Sequence, residues 1–516
     1  MLKDKDMQLS IYSVLYNKIP ENHKLKLLKD EVDFSFINKA LENIYCKYYG
    51  RPAKEPELMV KLLVLQNLYN LSDERVVLDA SLNLAYMYFL GINPEDELPH
   101  SSLLTKFRKK KLEGNLTVDE VIIEVVRQCV EKGILEGTGL SIDSTHTEAN
   151  TFKCTAERVM KRLAKKIFKT IEVEYGEVPE EINQDIPNYK EIENHKEAKS
   201  TMKSYLEDTI DQVEKAVVLT QTPKVSELLE NAKGILNDPK FMEQKGVRSI
   251  VDQDARVGHK SKTAHFFGYK MEYMITTDEQ IITAVHVDNG AYVDGSKFND
   301  LLELTQKSGI KIEKILGDKA YFRKPILDKI NEAKAKAYIP VSEMAYRIKE
   351  DLYSYNKDSD EWFCSQGNST TRKSLRKSKD REGYRYYFEK EKCRHCPVRD
   401  TCVSGTAIGK VLVVGINTPE FYGYSQEQKK EEFKEEYRKR ARQEGKNGEM
   451  KNFHGLGRAK GYGLKSMTLQ AKLTALAVNL KRIAAILSSK KGVFPIFNSI
   501  FLNFFVIVNQ NVKLCG

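Results

Sequence analysis

Two aspartates lie where a short apolar strand gives way to polar residues. Asp143 ends the strand in GTGLSIDSTHTEAN, and Asp318 follows the strand in KIEKILGDKAYFRK. A carboxylate at a strand end emerges at the edge of a sheet, where open α/β sheets bind their substrates. A single aspartate of this kind usually starts a turn. Two in the same context predict a shared site for Mg²⁺ or Mn²⁺, which prefer hard oxygen ligands.

Further along the chain, four residues of different chemistry stand at helical spacing. Tyr437, Arg440, Glu444 and Lys451 fit the pattern Y-x2-R-x3-E-x6-K, within a long charged helix predicted from residue 425 onward. A continuous helix places all four on one face, because this span makes about four turns. That face presents a third carboxylate beside cations that can hold phosphates. The alternative is a solvated charged helix, and Glu449 is the alternative third carboxylate.

A cluster of cysteines lies between these two regions. Cys393, Cys396 and Cys402 stand in the spacing C-x2-C-x5-C, with Cys364 upstream beyond a strand-like stretch. Four thiolates in this arrangement predict a tetrahedral structural Zn²⁺ site, with His395 as a substitute ligand. The alternative is a set of free buried cysteines. The other four cysteines show no ligand spacing and are predicted to be core residues.

Positive charge is concentrated in parts of the chain. The 83 Lys and Arg exceed the 73 Asp and Glu, and residues 425–482 alone hold 15 Lys and Arg against 7 Asp and Glu. Local basic surfaces make nucleic acid the first partner to test. The cations predicted to contact DNA are Arg108, Lys109 and Lys110 at the end of a predicted helix, and Lys260 and Lys262 in a polar loop. A solvated surface is the alternative interpretation for both groups.

The order of predicted elements indicates an α/β core with insertions. The first region consists of short helices with a basic last helix, which is typical of either a helix-turn-helix DNA-binding domain or a plain helical bundle. The strands and helices of the core follow, and two insertions divide them into separate segments of the sequence. The predicted boundaries are 1–135 for the helical region, 136–153 and 251–341 for the core, 154–250 for a helical insertion, 342–424 for a Cys-rich insertion, 425–487 for the part of the core that carries Glu444, and 488–516 for a hydrophobic tail.

The composition excludes several classes of protein. With 41% hydrophobic and 30% charged residues, the chain is neither disordered nor a polybasic tail. Eight cysteines in 516 residues are too sparse for a disulfide scaffold. No signal peptide is visible, and the apolar stretch 493–508 falls short of the roughly 20 residues that span a bilayer. The expected compartment is a reducing cytoplasm, with no membrane partner.

Together these segments resemble the DDE transposases of bacterial insertion sequences. The Y-x2-R-x3-E-x6-K pattern is specific to one large group of that family. Other similar segments are DFSFINKAL, GRPAKEPELMVKLLVLQNLYNLSDERV, LAYMYFLG, PHSSLLTKFRKK, GLSIDSTHTEAN, DQDARVGHKSK, FFGYK, ILGDKAY and LTALAVNLKRI. The resemblance covers roughly residues 15–487. Gln443 departs from the family pattern, which usually has an apolar residue there, and this predicts looser packing of the Glu444 helix.

The resemblance implies a fold and a catalytic centre. The expected fold is an RNase H-like mixed sheet flanked by helices, with an all-α N-terminal domain, a helical insertion and a small Cys-rich insertion. Asp143, Asp318 and Glu444 would form the metal-binding triad for two Mg²⁺ or Mn²⁺ ions. Arg440 and Lys451 would hold DNA phosphates. Tyr437 would contact DNA, with a packing role as the alternative, and Asp254 and Arg256 are expected to shape the site.

The resemblance also implies the reaction and the partners. The expected activity is cleavage at the ends of an insertion sequence followed by strand transfer into target DNA. The partners would be double-stranded DNA, as terminal inverted repeats and as target, and a second copy of the chain in a synaptic complex. The expected location is the bacterial cytoplasm, in association with the nucleoid. The alternatives are an inactive or domesticated transposase-derived DNA-binding protein and an RNase H-like nuclease.

Overall fold

The structure is a computed structural model of the chain. It describes residues 11–45, 53–112, 117–151, 153–239, 241, 248–261, 263–378, 381–403 and 405–490. Lys262 and nearly all of the predicted hydrophobic tail, from residue 491 onward, lie outside the described residues.

Short capped helices make up the N-terminal region. They are α1 (Lys24–Glu31), α2 (Phe36–Leu41), α3 (Pro56–Leu68), α4 (Asp73–Ala80), α5 (Leu84–Leu90), α6 (Ser102–Phe107) and α7 (Val118–Glu131), with a π-helical turn at Arg108–Leu112. The Ser72 side chain accepts a hydrogen bond from the Arg75 amide at the start of α4. Gly91 ends α5 in the left-handed region, at a φ of 71° that glycine adopts without strain. These caps explain why the helices are short.

The first strand leads into a helical insertion with a core of its own. After β1 (Gly139–Glu148) come α8 (Ala156–Tyr175), α9 (His195–Ala216) and α10 (Pro223–Leu236). Their buried apolar residues form one separate cluster, which includes Leu163, Leu206 and Leu229. The two ends of the insertion meet, because Cys154 and Arg248 exchange backbone hydrogen bonds of 2.9 and 3.0 Å.

A mixed sheet forms the centre of the molecule. It contains β1, β2 (Arg256–His259), β3 (His265–Thr276), β4 (Ile282–Asn289), β5 (Lys314–Leu316) and β6 (Lys336–Tyr338). β3 pairs antiparallel with β1, β4 and β2, whereas β5 pairs parallel with both β1 and β6. Helices α11 (Phe298–Lys307) and α12 (Lys324–Glu332) connect the later strands. This order, with helices on both faces, confirms the predicted RNase H-like sheet.

The Cys-rich segment folds into small strands and helices around its own aromatic core. It contains β7 (Tyr353–Asn356), β8 (Glu361–Cys364), β9 (Thr370–Ser378), β10 (Arg381–Phe388), α13 (Lys390–Arg394), α14 (Arg399–Cys402) and β11 (Val411–Gly415). Trp362 is fully buried there with Tyr386, Phe388 and Cys393. The segment is therefore a compact unit beside the central sheet.

Four helices complete the described chain, and they correct one prediction. They are α15 (Thr418–Glu427), α16 (Glu431–Arg438), α17 (Ala441–Phe453) and α18 (Leu464–Lys490). The single long charged helix predicted from residue 425 is wrong, because the chain turns at 428–430 and again at Lys439 and Arg440. No helix in the described part of the chain is long and apolar enough to cross a membrane.

The two faces of the sheet are covered by different helices. One face shares a single apolar cluster with the N-terminal helices and α18, in which Leu62, Tyr273 and Leu476 are all buried. The other face packs on α11 and α12, around Ile142 and Leu301. The predicted domain boundary at residue 135 therefore separates helical sequence from the sequence of the sheet. The residues on its two sides nevertheless share one hydrophobic core.

Candidate active site

The two predicted aspartates lie side by side at the edge of the sheet. Strands β1 and β5 are parallel, and their last paired residues are Ser141 and Leu316. Asp143 and Asp318 each follow two residues later, so they lie at the same level. The prediction that the first strand ends at Asp143 is wrong, because β1 continues to Glu148 and Asp143 still pairs with Tyr273 of β3. The Asp318 carboxylate accepts a hydrogen bond of 2.8 Å from the Ala320 amide and caps the short 3-10 helix that follows. Local capping and strand register thus position this pair.

Asp143 is held in a partly desolvated environment. Burial raises the pKa of its carboxyl group, the Arg440 guanidinium lowers it, and the neighbouring Asp318 raises it. Arg440 lies 3.2 Å from Oδ1 in an ion pair, and the Asn447 amide donates to Oδ2 at 3.4 Å. A buried carboxylate beside a second carboxylate is favourable only with nearby positive charge. Arg440 supplies that charge in this structure.

The break between α16 and α17 separates the four residues of the Y-x2-R-x3-E-x6-K pattern. Tyr437 stays on α16, where its ring stacks on Phe433 at 5.9 Å beside Leu316 and Tyr338. Arg440 precedes α17, which carries Glu444 and Lys451. The single shared helix face is therefore incorrect, and the contacts of Tyr437 fit the packing role.

Glu444 and Glu449 lie on α17 in contrasting surroundings. Glu444 is exposed, one turn after Arg440, and it has no hydrogen-bond or ion-pair partner among the residues that the structure describes. Glu449 is partly buried and binds Lys446 at 2.8 Å and Lys481 at 2.7 Å. Burial opposes ionisation of Glu449, but the two lysines hold its pKa below the ordinary value. The Glu449 carboxylate therefore already forms two ion pairs within the protein.

The oxygen donors at this edge suit a hard divalent ion. Two carboxylates stand together, and an unpartnered third is carried by the helix that contacts Asp143. Within the described ranges, no three acidic, histidine or cysteine side chains already converge closely enough to bind one metal ion. The donor set therefore fits Mg²⁺ in its chemistry, although the three carboxylates do not converge on one ion position here.

Gln443 ties α17 to the central strand. It is only 1% exposed, and its Oε1 accepts a hydrogen bond of 2.5 Å from the Ser141 hydroxyl. Ser141 stands two residues before Asp143 on β1. The polar side chain at this family-atypical position thus fastens the helix to the strand that carries the first acid.

A cluster of cations lies farther along β1. The Lys451 ammonium is 3.3 Å from Nδ1 of His146, and Lys260 and Lys270 also lie near this ring. Burial, followed by repulsion from the three lysines, lowers the pKa of His146 to about 4. Lys270 pairs with Asp294 at 3.0 Å and Lys260 approaches Glu148 at 3.5 Å. This concentration of positive charge favours an anionic ligand such as phosphate.

Two family models match the chain. A transposase domain (DUF772) matches residues 13–110, and a transposase DDE domain matches residues 363–484. Both matches are to transposase domains, and they support the identification of the chain as an insertion-sequence DDE transposase. Its function is that of a DDE transposase, and the second match contains Arg440, Glu444 and Lys451. Asp143 and Asp318 lie between the two matched regions.

Comparisons with curated proteins and with solved structures add little to what the family models show for this transposase. No curated protein matches the chain. Among solved structures, the synaptic complex of piggyBac transposase with hairpin DNA covers 95% of this chain and 78% of that chain. Its sequence identity is 10% and its TM-score 0.30, which is too low to support a conclusion about the fold or the function.

The remaining predicted DNA contacts of the transposase lie in different surroundings. Lys109 and Lys110 are exposed on the π-helical turn. Arg108 instead turns inward, where it forms an ion pair with Asp73 and donates to Gln66 at 3.1 Å. Arg108 therefore connects helices within the N-terminal region. Lys262 lies outside the described residues.

The segment around Asp254 and Arg256 fastens the last helix. The Asp254 carboxylate accepts a hydrogen bond of 2.7 Å from the Leu464 amide, at the start of α18. Arg256 donates to the backbone oxygens of Gln253 and Ala255. These contacts hold the start of α18 and the backbone before β2 in place. Asp254 and Arg256 therefore influence the site at most indirectly.

The four predicted zinc ligands come together without forming a single-ion site. Cys364, Cys393, Cys396 and Cys402 all line one cavity and are free thiols. No three of them, with or without His395, are placed to bind one ion in the described structure. Zinc therefore remains a prediction.

The sequence did not single out three residues that the structure places at the site. Asn447 contacts Asp143, His146 contacts Lys451, and Glu272 is fully buried on β3. Asn447 stands three residues after Glu444, so helical spacing alone points to it. The position of Glu272 within an apolar strand is also visible in the sequence, as a charge in a run that is otherwise buried.

Proposed function

We propose that this transposase uses Asp143, Asp318 and Glu444 to cleave DNA at the ends of its element and to join those ends to target DNA. The observation that carries the proposal is the level placement of Asp143 and Asp318 on parallel strands. The helix that contacts Asp143 through Arg440 also offers Glu444 without a competing partner. Sites of this kind bring carboxylates from separate elements to one metal centre.

The three acids would hold Mg²⁺ or Mn²⁺ ions. When bound, such ions activate the attacking water or 3′-hydroxyl group and stabilise the leaving oxygen. Arg440 would remain close to Asp143 and neutralise charge on the reacting phosphodiester. The structural Zn²⁺ predicted for the four cysteines has no part in this chemistry.

The DNA backbone would lie across the cations beside the acid pair. Lys451, Lys260 and Lys270 surround His146 on the strand that carries Asp143. Lys109 and Lys110 would contribute from the N-terminal region. The substrate would be double-stranded DNA with terminal inverted repeats, and two ends would be held by two copies of the chain. Because the contacts are to phosphates, binding would weaken steeply with added salt.

A reconstituted reaction tests this function. Purified protein is incubated with labelled element-end DNA, a target plasmid and Mg²⁺, and both nicking and end-to-target joining are measured. We expect both products, and Asp143→Asn should lower both rates by at least about 100-fold. Nicking without joining would indicate a nuclease, and binding without either product would indicate an inactive DNA-binding protein. Equal activity of wild type and Asp143→Asn would overturn the assignment.

The third carboxylate has a matched test on the same helix. Glu444→Gln should abolish joining while leaving the free energy of unfolding within about 0.5 kcal/mol of wild type, because the side chain is exposed. Glu449→Gln should instead lower stability by about 1–3 kcal/mol, because the partly buried Lys446 loses its ion partner. Urea unfolding and the joining assay together separate these effects. Full activity of Glu444→Gln, with loss only in a folded Glu449→Gln protein, would reverse the assignment.

A further inference from the structure

The four cysteines of the Cys-rich segment line a cavity and do not converge on one metal-ion position. Cys364 at the end of β8, Cys393 on α13, Cys396 after it and Cys402 on α14 all line a cavity of about 840 Å³. Thiols from three different elements therefore contribute to the lining of one cavity. A cavity of this size is large enough to hold an inorganic cluster.

A single zinc ion does not suit this arrangement. Zn–S bonds of about 2.3 Å in a tetrahedron bring the sulfur atoms to about 3.8 Å from one another. In the described structure no three of these cysteines converge on one ion position. Thiolates that each bind a different metal atom of a cluster stand farther apart.

The charge of the cavity favours an anionic occupant. Its lining includes Lys349, Lys392, Arg399 and Lys410, and no acidic side chain in the described part of the chain lines it. Four thiolates around a cluster core leave a net negative charge, whereas four thiols are neutral. Lys410 already donates to the Cys402 carbonyl oxygen and Lys392 pairs with Glu389, so an anionic cluster would add to these contacts.

One hydrogen-bond donor of this cavity contacts a cysteine sulfur atom, and a second buried donor has no acceptor among the described residues. The Asn368 side-chain amide donates to Sγ of Cys393 at 3.1 Å. The Nε–H of Arg399 is buried and has no acceptor among the residues that the structure describes. Donors to cluster sulfurs are one means by which proteins stabilise iron–sulfur centres. An inorganic sulfide in the cavity would give the Arg399 donor an acceptor.

We propose that Cys364, Cys393, Cys396 and Cys402 bind an iron–sulfur cluster, with one thiolate on each iron of a four-iron core. The cluster would join β8, α13 and α14 in a unit whose own apolar core contains only Trp362 and a few neighbours. Its function would be to fix the Cys-rich segment in front of α15, which leads to the catalytic helix. This binding is independent of the DNA chemistry proposed above.

Metal analysis of the full chain tests the proposal. The protein is expressed with added iron, purified without oxygen, and analysed for iron, acid-labile sulfide and zinc. We expect about four iron and four sulfide ions per chain, with a visible absorption from sulfur-to-iron charge transfer. Apoprotein should recover the same content and colour after incubation with Fe²⁺ and sulfide. One tightly bound zinc ion per chain that iron and sulfide do not displace would overturn the proposal.

Cysteine variants locate the cluster. Cys393→Ser and the less buried Cys396→Ser should lose the visible absorption and most of the iron, whereas Cys154→Ser in the helical insertion should keep both. Far-UV circular dichroism shows whether each variant is folded, and reconstitution of folded apoprotein covers a variant that loses iron during purification. Four freely titratable thiols with no uptake of iron would contradict the proposal. Metal content is measured without DNA, so this result does not depend on transposase activity.

Discussion

His146 lies between Asp143 and the cluster of cations on the same part of the sheet. It stands on the same strand as Asp143, and its ring is tilted against Phe266 at 4.9 Å with Lys451 on its other side. Burial, followed by repulsion from three nearby lysines, lowers the pKa of His146 to about 4, so the imidazole is neutral at ordinary pH. The imidazole therefore adds no positive charge to this cluster at ordinary pH.

Stability should depend on pH through His146. Its pKa is lowered from 6.5 to about 4 on folding, so between these values the unfolded chain binds a proton that the folded chain does not. The free energy of unfolding should therefore fall as the pH is lowered from about 6.5 to about 4, and His146→Asn should show a shallower fall. Urea unfolding at several pH values measures the difference. Parallel pH profiles for wild type and His146→Asn would contradict this prediction.

Glu272 is a buried carboxylate that supports the loop after Asp318. It is 0% exposed and accepts hydrogen bonds from the Tyr321 hydroxyl at 2.9 Å, the Tyr292 hydroxyl at 2.7 Å and the Gly295 amide at 2.6 Å. Tyr321 closes the short helix that Asp318 caps. A carboxylate with three donors holds this loop in place from inside the molecule.

Replacing Glu272 by glutamine should destabilise the fold. An amide offers one acceptor oxygen, so at least one of the three donors faces an NH₂ group and loses its partner. Because hydrogen bonds to charged groups contribute about 1.5–3 kcal/mol each, we expect a loss of that order in urea unfolding. Glu303→Gln, on the exposed face of α11, controls for the loss of a charge and should change stability by less than about 0.5 kcal/mol.

At the scale of elements, the turn between α16 and α17 lets each helix bind a different strand. On α16, Glu436 pairs with Lys314 of β5 at 2.9 Å, and Glu432 pairs with Lys336 of β6 at 2.9 Å. On α17, Gln443 binds Ser141 of β1. A straight helix cannot satisfy both sets of contacts, and the break places Arg440 on Asp143.

Close pairing of β1 and β3 also depends on one glycine. A Cβ atom on Gly268 would overlap the carbonyl oxygen of Thr147 and lie 2.7 Å from the Ala149 amide nitrogen, and both of these atoms belong to the backbone. Gly268→Ala should therefore push the strands apart and lower stability by about 1–3 kcal/mol, with loss of joining activity. Gly234 in α10 has open space around its Cβ position, so Gly234→Ala should raise stability by up to about 1 kcal/mol. Thermal unfolding of both variants checks these opposite signs.

At the scale of the molecule, the N-terminal helices and the catalytic sheet are one structural unit. Leu62 of α3, Val285 of β4 and Leu476 of α18 belong to a single buried cluster. Asn479 of α18 also exchanges two hydrogen bonds of 2.7 Å with the backbone of Ile282. The DNA contacts proposed for Lys109 and Lys110 would therefore be connected to the acids through one continuous hydrophobic core.

Two deletions test which parts of the chain are needed for this unit to fold. Replacing residues 155–247 by a short Gly-Ser linker should leave the rest folded, because Cys154 and Arg248 are already hydrogen-bonded neighbours and the insertion has its own core. Removing residues 1–135 should prevent folding, because it exposes the apolar face of α18. Circular dichroism and thermal unfolding measure both outcomes. A cooperatively folded 136–490 fragment would contradict the single unit.

Local patterns in the sequence determined much of the site. Alternating apolar residues before Asp143 and Asp318 predicted two strands that end in acids. β5 does end just before Asp318, whereas β1 continues past Asp143 to Glu148, and the two acids lie at the same level of the paired strands. The RNase H-like order of the sheet came from the same patterns together with the family resemblance. These features depend on neighbouring residues, so spacing alone can encode them.

Only the tertiary structure decided which partners these residues have. Arg108 belongs to a basic run, yet Asp73 draws it inward. Glu444 and Glu449 both lie on α17, but only Glu449 meets lysines from its own turn and from α18. The four cysteines share one spacing pattern, yet the folded segment spreads them around a cavity. These contacts depend on packing between elements that are distant in sequence. Burial and electrostatic interactions there depend on distance in the folded structure and not on spacing along the chain.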